Sequence, residues 1–436
     1  METATLITVV LVIALALFFD FTNGFHDTAN AMATPIATGA LKPKTAVLLA
    51  AVLNLVGAFL STEVAKTISG GIVREDQISS AIFPAVILAG LIGAITWNML
   101  TWLLGLPSSS SHALFGGLIG ATIVGVSVTA IDFGVVMSKV ILPAVIAPLT
   151  AGIIAFTVTK IAYALTRRYD SKPDGRDGFR VGQIFTSSLV ALAHGTNDAQ
   201  KTMGIITLLL ITVGLQDHPE PETWVIVACA VTIALGTYMG GWRIIRTLGK
   251  GLTEVKPAQG FAAESSTAAT ILASSALGFA LSTTQVASGS VIGSGLGRRG
   301  SQVRWRTAGR IMVGWVLTLP AAGAVGALAA LVVTWLGFWG IIIDSVLATV
   351  VILAIFLRSR RNEVNAANAM SEVAESGRAV KVKRNPPPTR RQRAMAREEA
   401  RRKSAAAAAA KKAAKAGKTP KPSEQTPAGP NDGGAR

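Results

Sequence analysis

The sequence has little of what a soluble or secreted protein needs. Only 15% of its 436 residues are charged, and Cys229 is its single cysteine. One cysteine excludes a disulfide framework and a cysteine-based metal site. Residues 1–357 contain no polar stretch longer than about 20 residues, so no folded domain outside a membrane fits there. Half of the residues are hydrophobic and the mean hydropathy is +0.50. The composition therefore predicts an all-α polytopic membrane protein.

The net charge of +17 does not indicate nucleic-acid binding, because most of it belongs to one end of the chain. Residues 358–436 carry 20 lysines and arginines but only 7 acidic residues. This segment also lacks the apolar content for a core and contains a triple proline at 386–388. We expect a basic disordered tail, for which contact with anionic lipid headgroups is plausible, and no nucleic-acid partner.

The first apolar run, residues 6–19, is interpreted as a retained membrane helix. It lacks the basic segment that precedes a signal-peptide core, and it leads into Asp20 rather than into a small-residue cleavage site.

Two polar clusters occur twice within otherwise apolar sequence. Residues 24–32 (GFHDTANAM) recur as 195–203 (GTNDAQKTM), an offset of 171, and residues 109–112 (SSSH) recur as 282–285 (STTQ), an offset of 173. Carboxylates and imidazoles are costly inside a membrane and usually mark function there. Their repetition predicts a transporter built from two related halves around a central site.

The order of apolar and polar segments predicts five parts. These are a first repeat (1–166), a basic linker (167–181), a second repeat (182–336), an extra membrane helix (337–357) and the tail (358–436). Each repeat is predicted to contain a helix broken at its Asp cluster, a further span, a helical hairpin with the Ser/Thr run at its tip, and a closing span. The hairpins are predicted over 82–128 and 260–296, and polar loops over 63–81 and 243–256. The chain then has about 10–12 membrane helical segments.

Lysine and arginine counts predict the orientation. The loops 42–44, 167–180, 243–256 and 298–310 carry 16 of these residues together, whereas 63–81, 129–139 and 216–223 carry 3. The positive-inside rule places the first set in the cytoplasm. The N-terminus is then outside a cell membrane, the tail is cytoplasmic, and an odd number of crossings per half inverts the second half relative to the first.

The duplicated aspartates are the strongest candidates for chemistry. Asp27 with Asn30, and Asp198 with Asn197, offer oxygen ligands that suit a hard cation or a proton. A break in the helix would also expose backbone groups that lipid cannot satisfy. The alternative is a pair of structural carboxylates satisfied by neighbouring helices.

The hydroxyl-rich hairpin tips complement the aspartates. Ser109, Ser110 and Ser111, with Ser282, Thr283 and Thr284, provide hydroxyl and backbone donors that can bind an oxyanion without a fixed charge. Serine runs also occur as helix caps, which is the alternative here.

Further polar residues lie near these elements. His26, His112, His194, Gln200 and Lys201 are candidate proton or anion partners; Lys201 would either attract an anion or pair with Asp198. Glu264 is a candidate cation or proton site, or else a carboxylate near the cytoplasmic mouth. The glycines at 116–120 and 289–300 lack the P-loop lysine and indicate close helix packing.

At these residues the sequence closely resembles the inorganic phosphate transporter (PiT) family, and within it the bacterial low-affinity permeases. The matching stretches are 23–31, 107–112, 193–201 and 282–284. The resemblance implies symport of phosphate with a cation, usually a proton in bacterial members and sodium in others, with Mg²⁺ sometimes carried as a metal phosphate complex. It also implies a homodimer, coupling residues at Asp27, Asn30, Asn197 and Asp198, and hydroxyl ligands at 109–111 and 282–284. Gln285 departs from a histidine often found there, which weakens a relay role for His112.

Other functions are less compatible with the sequence. A sulfate permease would need the same hydroxyl donors, so competition by sulfate must decide that case. An intramembrane serine hydrolase needs one catalytic centre and a nucleophile elbow, and neither fits duplicated clusters. A channel would not show saturable, cation-dependent uptake. We expect no enzyme activity, resident metal or cofactor.

Overall fold

The computed structural model describes residues 3–69, 73–74, 82–166, 177–361 and 364–366, and these are almost entirely helical. Within them, extended structure is limited to two isolated β-bridges, Val73 with Ile131 and Thr253 with Val303. The all-α prediction is confirmed. Most of the predicted basic linker (167–176) and nearly all of the predicted tail (367–436) lie outside the described residues.

Among the described residues, the first half of the chain contains seven α-helices and a π-helical turn at Met137–Ile141 that joins the last two. A helix occupies the first part of the predicted polar loop 63–81, because the backbone N–H groups of Val64 and Ala65 are capped by the side chain of Gln200. The α-helices are α1 (Thr3–Ala37), α2 (Pro43–Gly57), α3 (Glu63–Ser69), α4 (Phe83–Leu104), α5 (Ser110–Gly125), α6 (Phe133–Val136) and α7 (Leu142–Thr166).

The second half also has seven helices among the described residues. The predicted basic loop 243–256 begins as a helix instead, since Ile244, Ile245 and Leu248 recur at helical spacing and are buried. The predicted extra helix is present and ends at Arg360. The helices are α8 (Asp177–Thr212), α9 (Thr223–Met239), α10 (Trp242–Gly251), α11 (Pro257–Ala276), α12 (Thr283–Gly297), α13 (Trp305–Leu336) and α14 (Phe338–Arg360).

The predicted breaks at the two Asp clusters are absent. Helices α1 and α8 run without interruption for 35 and 36 residues. Their glycines serve close packing instead: a Cβ on Gly24 would lie 2.2 Å from the carbonyl oxygen of Ile233, and a Cβ on Gly195 would lie 2.2 Å from that of Asn54. Hydroxyl groups from other helices satisfy the two carboxylates, so the helical backbone does not have to supply those hydrogen bonds.

By length and composition, five helical stretches of the described chain can cross a membrane: α1, α4, residues 133–166, α13 and α14. Helices α9 and α10, bent by 67° at the glycine pair between them, would form a sixth span. The predicted 10–12 segments also included short helices and the other hairpin arms, α5, α11 and α12, which this criterion does not identify as spans.

The two halves are interlocked through glycine contacts. A Cβ on Gly116 of α5 would lie 2.3 Å from the carbonyl oxygen of Leu319 in α13. At the equivalent place, a Cβ on Gly289 of α12 would lie 2.4 Å from that of Pro148 in α7. The hairpin of each half therefore packs on the closing span of the other half, which confirms the packing role inferred for these glycines. The inverted relation of the halves stays a prediction.

Candidate functional site

The Ser/Thr tips are the capped beginnings of α5 and α12. The Ser109 hydroxyl accepts a hydrogen bond of 3.1 Å from the backbone N–H of His112. The Ser282 hydroxyl accepts the equivalent bond, 3.3 Å, from Gln285. Ser109 and Ser282 are therefore N-caps. The two residues after each cap, Ser110 and Ser111 in α5 and Thr283 and Thr284 in α12, are buried.

The Asp27 carboxylate accepts hydrogen bonds from hydroxyl groups of both hairpins. Ser110 of α5 donates to Oδ2 at 2.9 Å, and Thr284 of α12 donates to Oδ1 at 3.1 Å. Thr283 lies 3.4 Å from Oδ2. Asp27 is 1% exposed, so these contacts are made away from bulk water and bring α1, α5 and α12 to one point.

Asp198 has a different environment because a lysine lies against it. The ammonium group of Lys201 hydrogen-bonds Oδ1, and it also donates to the Ser111 hydroxyl at 2.6 Å and to the Leu281 carbonyl at 2.9 Å. Thr283 donates to Oδ2 at 3.0 Å. Lys201 is fully buried. Of the two roles considered for it, the pairing with Asp198 is the one observed.

The three buried histidines occupy two different places. His26 Nδ1 lies 2.7 Å from Asp27 Oδ1, and His194 Nε2 lies 2.8 Å from Asp198 Oδ2 and 4.0 Å from Asp27 Oδ2. His112 instead lies 3.3 Å from the side-chain nitrogen of Gln285 on the opposite hairpin. His26 and His194 thus belong to the aspartate cluster, whereas His112 joins the two hairpin helices.

Several amide oxygens beside the cluster have no hydrogen-bond partner within the described structure. The Asn30 amide nitrogen donates to Thr284 at 3.0 Å, and that of Asn197 donates to Ser275 at 2.9 Å. The side-chain oxygens of Asn30, Asn197 and Gln285 are buried and unpaired. Buried acceptors are normally satisfied, so these oxygens can take a hydrogen-bond donor or a cation.

Asp27, His194 and Asp198 form a group that could hold a cation. One ligand atom from each lies within 4.8 Å of the others. Two carboxylates suit a hard cation, and a neutral imidazole can also carry a proton. All three residues are buried, so the cluster lies away from solvent in the structure.

Two predicted residues lie apart from the cluster. The Gln200 oxygen accepts from the backbone of Val64 and Ala65, and its nitrogen hydrogen-bonds the Thr196 carbonyl, so it caps α3 rather than facing the aspartates. Glu264 of α11 accepts from Thr34 at 2.6 Å and Thr186 at 2.7 Å. Thr34 follows Asp27 by seven residues on α1, which is about 10 Å along a helix.

Four polar residues at or near the cluster were missing from the candidates. The Asn54 oxygen lies 3.2 Å from His194 Nδ1, and Asp20 accepts from Thr202 at 3.1 Å while its other oxygen is unpaired. The side-chain nitrogen and oxygen of Asn23, and those of Asn98, are buried and without a hydrogen-bond partner in the described structure. A polar residue inside an apolar helix was the signal for all four.

Comparison with known proteins identifies the family of the chain. Residues 23–326 match the model of the phosphate transporter family. A Mycobacterium bovis protein named "Probable low-affinity inorganic phosphate transporter" is 55% identical over 365 residues, covering 83% of this chain and 86% of that protein. A Bacillus subtilis protein of the same name is 42% identical over 325 residues, covering 74% and 96%.

The fold also resembles a solved structure, "The sodium-dependent phosphate transporter", with a TM-score of 0.67. That match has 23% identity and covers 76% of this chain and 99% of the other. The family consists of transporters, not enzymes, and its multi-pass membrane architecture fits the apolar helices described above. The chain belongs to the phosphate transporter family.

Proposed function

We propose that the chain is a secondary active symporter that imports inorganic phosphate with protons across the cell membrane. The observation that carries this proposal is one buried cluster in which hydroxyls from both hairpins meet an aspartate from each half. Alternating access would come from inverted halves moving against each other around this cluster, with the N-terminus outside and the tail in the cytoplasm.

The charge of the cluster supports symport. Lys201 balances Asp198, while the partners of Asp27 in the described part of the chain are histidines and neutral hydroxyls. An anion that enters a buried site with an excess negative charge is strongly disfavoured unless positive charge enters with it. A proton taken up by His26, His194 or Asp27 would supply that charge.

The unpaired amide oxygens favour phosphate over sulfate. Protonated phosphate can donate hydrogen bonds, whereas sulfate at neutral pH only accepts them. The buried oxygens of Asn30, Asn197 and Gln285 are acceptors without a donor in the described structure. A site whose acceptors stay unpaired rejects the wrong ligand strongly. Ser110, Ser111, Thr283 and Thr284 are the proposed donors to the remaining oxygens of phosphate.

Lys201 favours a proton over sodium as the coupling ion. Lys201 and Asn30 are equivalent by the offset of 171. In the first half Asn30 leaves a free oxygen beside Asp27, but in the second half the ammonium of Lys201 already contacts Asp198. A bound sodium ion next to that ammonium would meet like-charge repulsion. Sodium at the Asp27, His194 and Asp198 group is the second candidate, favoured by their oxygen ligands.

Three further proposals complete the assignment. Glu264 would take part in coupling near the cytoplasmic end of α1, where the hydroxyls and amide that surround it come from α1 and α8. Mg²⁺ would travel with phosphate as a neutral complex, and the protein would be a homodimer.

Uptake of labelled phosphate into proteoliposomes tests the proposal. Imposed proton and sodium gradients should be compared, each with and without magnesium and with sulfate as competitor. We expect an inward proton gradient to drive uptake, magnesium to raise it, and sulfate to compete weakly.

Asp27→Asn and Asp198→Asn should abolish this uptake while the protein still inserts and folds. Asp132→Asn is the matched control, since Asp132 lies outside the cluster. It caps α6 through the backbone of Gly134 and Val135, which an asparagine can also do, and its ion pair with Arg74 is partly exposed. Near-normal uptake by both cluster variants would overturn the proposed function.

A further inference from the structure

A long apolar cleft lies between α1, α4 and α14, away from the aspartate cluster. Its volume is about 710 Å³, and its walls include Leu15, Phe18, Ile92, Met99 and Ile352. The lining follows residues 11–25 of α1, a length of about 21 Å at 1.5 Å per residue. That length exceeds the roughly 15 Å half-thickness of a bilayer core, so the cleft can accommodate an acyl chain.

A cationic pocket lies beside one end of the cleft. This second cavity, of about 430 Å³, is lined by Arg243, Arg246, Arg304 and Arg310 together with Thr247 and Thr307. Arg243 lines both cavities. The described linings of the two cavities contain no aspartate or glutamate. The apolar cleft and the cluster of arginines and hydroxyls are therefore neighbours that share Arg243.

The bend between α9 and α10 builds this junction. The 67° bend turns α10 so that Ile244, Ile245 and Leu248 are buried in the protein while Arg246 is exposed. Arg243 donates to the Leu103 carbonyl at 3.2 Å and the Ser359 carbonyl at 2.9 Å, and its guanidinium lies 5.7 Å from the Trp102 ring centroid. The ends of α4 and α14 are thus fixed beside the pocket.

We propose that this composite cavity binds an anionic phospholipid. An acyl chain would occupy the apolar cleft, and the phosphodiester headgroup would contact the arginines, whose planar donors match phosphate oxygens. Basic pockets between membrane helices on the cytoplasmic side are suited to such headgroups. The arginines come from the segments 243–256 and 298–310, predicted as loops from the sequence, which the charge pattern assigns to that side.

Three other occupants fit less well. Ser359, Arg360 and Val364 of the chain's own C-terminal segment already line the cavities, and the residues beyond them, 367–436, carry 17 basic and 6 acidic residues, so the arginines would repel that part. Inorganic phosphate would match the arginines but leave the apolar cleft unused. A second copy of the chain could cover the cleft but would give no reason for the four arginines beside it.

Lipid binding to the purified full chain in neutral detergent tests the proposal without any transport assay. Phosphatidylglycerol, phosphatidylcholine and inorganic phosphate are added separately, and bound lipid and oligomeric state are followed by native mass spectrometry, with thermal unfolding in parallel. We expect phosphatidylglycerol to be retained and to raise the unfolding temperature more than phosphatidylcholine or phosphate does.

Two variants separate the headgroup from the acyl chain. Arg246→Gln with Arg310→Gln should weaken phosphatidylglycerol binding about 30-fold, because each arginine near an anionic lipid contributes roughly fivefold. Ala14→Trp should block the cleft and also reduce binding. Arg180→Gln and Val316→Trp, at exposed positions outside both cavities, are the matched controls and should leave binding unchanged.

Each opposing result overturns the proposal. Equal binding of both lipids would show that no headgroup is recognised. If inorganic phosphate raised the unfolding temperature as much as phosphatidylglycerol does, and Ala14→Trp did not change this effect, the site would be an anion pocket and not a lipid site. Conversion of a dimer to a monomer by Ala14→Trp, without loss of lipid, would make the cleft an interface between two copies.

Discussion

Asp27 and Asp198 occupy equivalent positions in the two sequence clusters, but their partners differ in kind. Asp27 is held by hydroxyls and by His26, whereas Asp198 has a resident cation in Lys201. The sequence predicts both aspartates and the hydroxyls near them. It leaves the role of Lys201 open, because an amphipathic lysine three residues from an aspartate can turn toward either a partner or a ligand.

Lys201→Asn tests whether the ammonium replaces a coupling ion. The change copies the first-half residue, Asn30, into the second half, and it leaves Asp198 without its charged lysine partner. We expect loss of proton-driven uptake, and stimulation by sodium that the original chain lacks. Without sodium, the free energy of unfolding should fall by about 3–5 kcal/mol, as for other buried pairs that lose one partner.

Lys66→Asn is the control for this change, since Lys66 forms only exposed ion pairs with Glu63 and Glu220. Uptake and stability of this variant should match those of the original chain. Unaltered proton dependence in Lys201→Asn would show that the ammonium has no part in coupling.

At the scale of elements, the hairpins and their tips follow from sequence, but the continuity of α1 and α8 does not. Gly24 and Asp27 within an apolar helix are compatible with either a break or a straight helix. The outcome depends on donors from far along the chain, such as Thr283 and Thr284, and on the carbonyl of Ile233 that Gly24 approaches. Local pattern cannot specify those contacts.

Capping and ligand binding can be separated at the start of α5. Ser109→Ala removes the N-cap and should cost about 1 kcal/mol of stability with uptake largely retained. Ser110→Ala removes a hydroxyl that donates a hydrogen bond to Asp27. This change should reduce uptake at least about tenfold, which corresponds to the loss of one hydrogen bond to a charged group. Thermal unfolding and phosphate uptake measure the two effects. Loss of uptake in a fully stable Ser109→Ala protein would return Ser109 to the binding site.

Glycine contacts between α5 and α13 should be intolerant of a methyl group. Gly120→Ala would place a Cβ 2.0 Å from the carbonyl oxygen of Gly323, so the helices must separate. We expect the free energy of unfolding to fall by roughly 1–3 kcal/mol, as for overpacked cores. Gly314→Ala, in α13 with nothing within 4 Å, should be neutral or stabilising because alanine favours helix. Equal stability of the two variants would contradict the close packing.

For the whole molecule, the sequence boundary between the halves is not a spatial one. Residues 1–166 and 182–336 are predicted as separate repeats, yet α5 packs on α13 and α12 packs on α7. The duplicated motifs predict two halves. They do not predict that the hairpin of one half packs on the closing span of the other, because apolar residues on a membrane helix can face either lipid or protein. Movement of one half must therefore displace contacts in the other.

Cysteine labelling tests the predicted orientation. Cys229 is buried and can be replaced by alanine to give a background without reactive thiols. In that background, Asp217→Cys should react with an impermeant maleimide on intact cells, whereas Gln302→Cys should react only after permeabilisation. Both positions are exposed loop residues, so accessibility to the reagent is matched. The reverse pattern would invert the topology derived from the lysine and arginine counts.

The contact of Thr283 with both aspartates has a consequence of its own. Its hydroxyl lies 3.0 Å from Asp198 and 3.4 Å from Asp27, but a hydroxyl has only one hydrogen to donate. The two carboxylates therefore compete for this hydrogen, although each also has donors of its own: Ser110 and Thr284 for Asp27, and Lys201 for Asp198. A protonated phosphate that donates a second hydrogen bond would end this competition. Binding of phosphate beside one aspartate would therefore change the hydrogen bonding of the other.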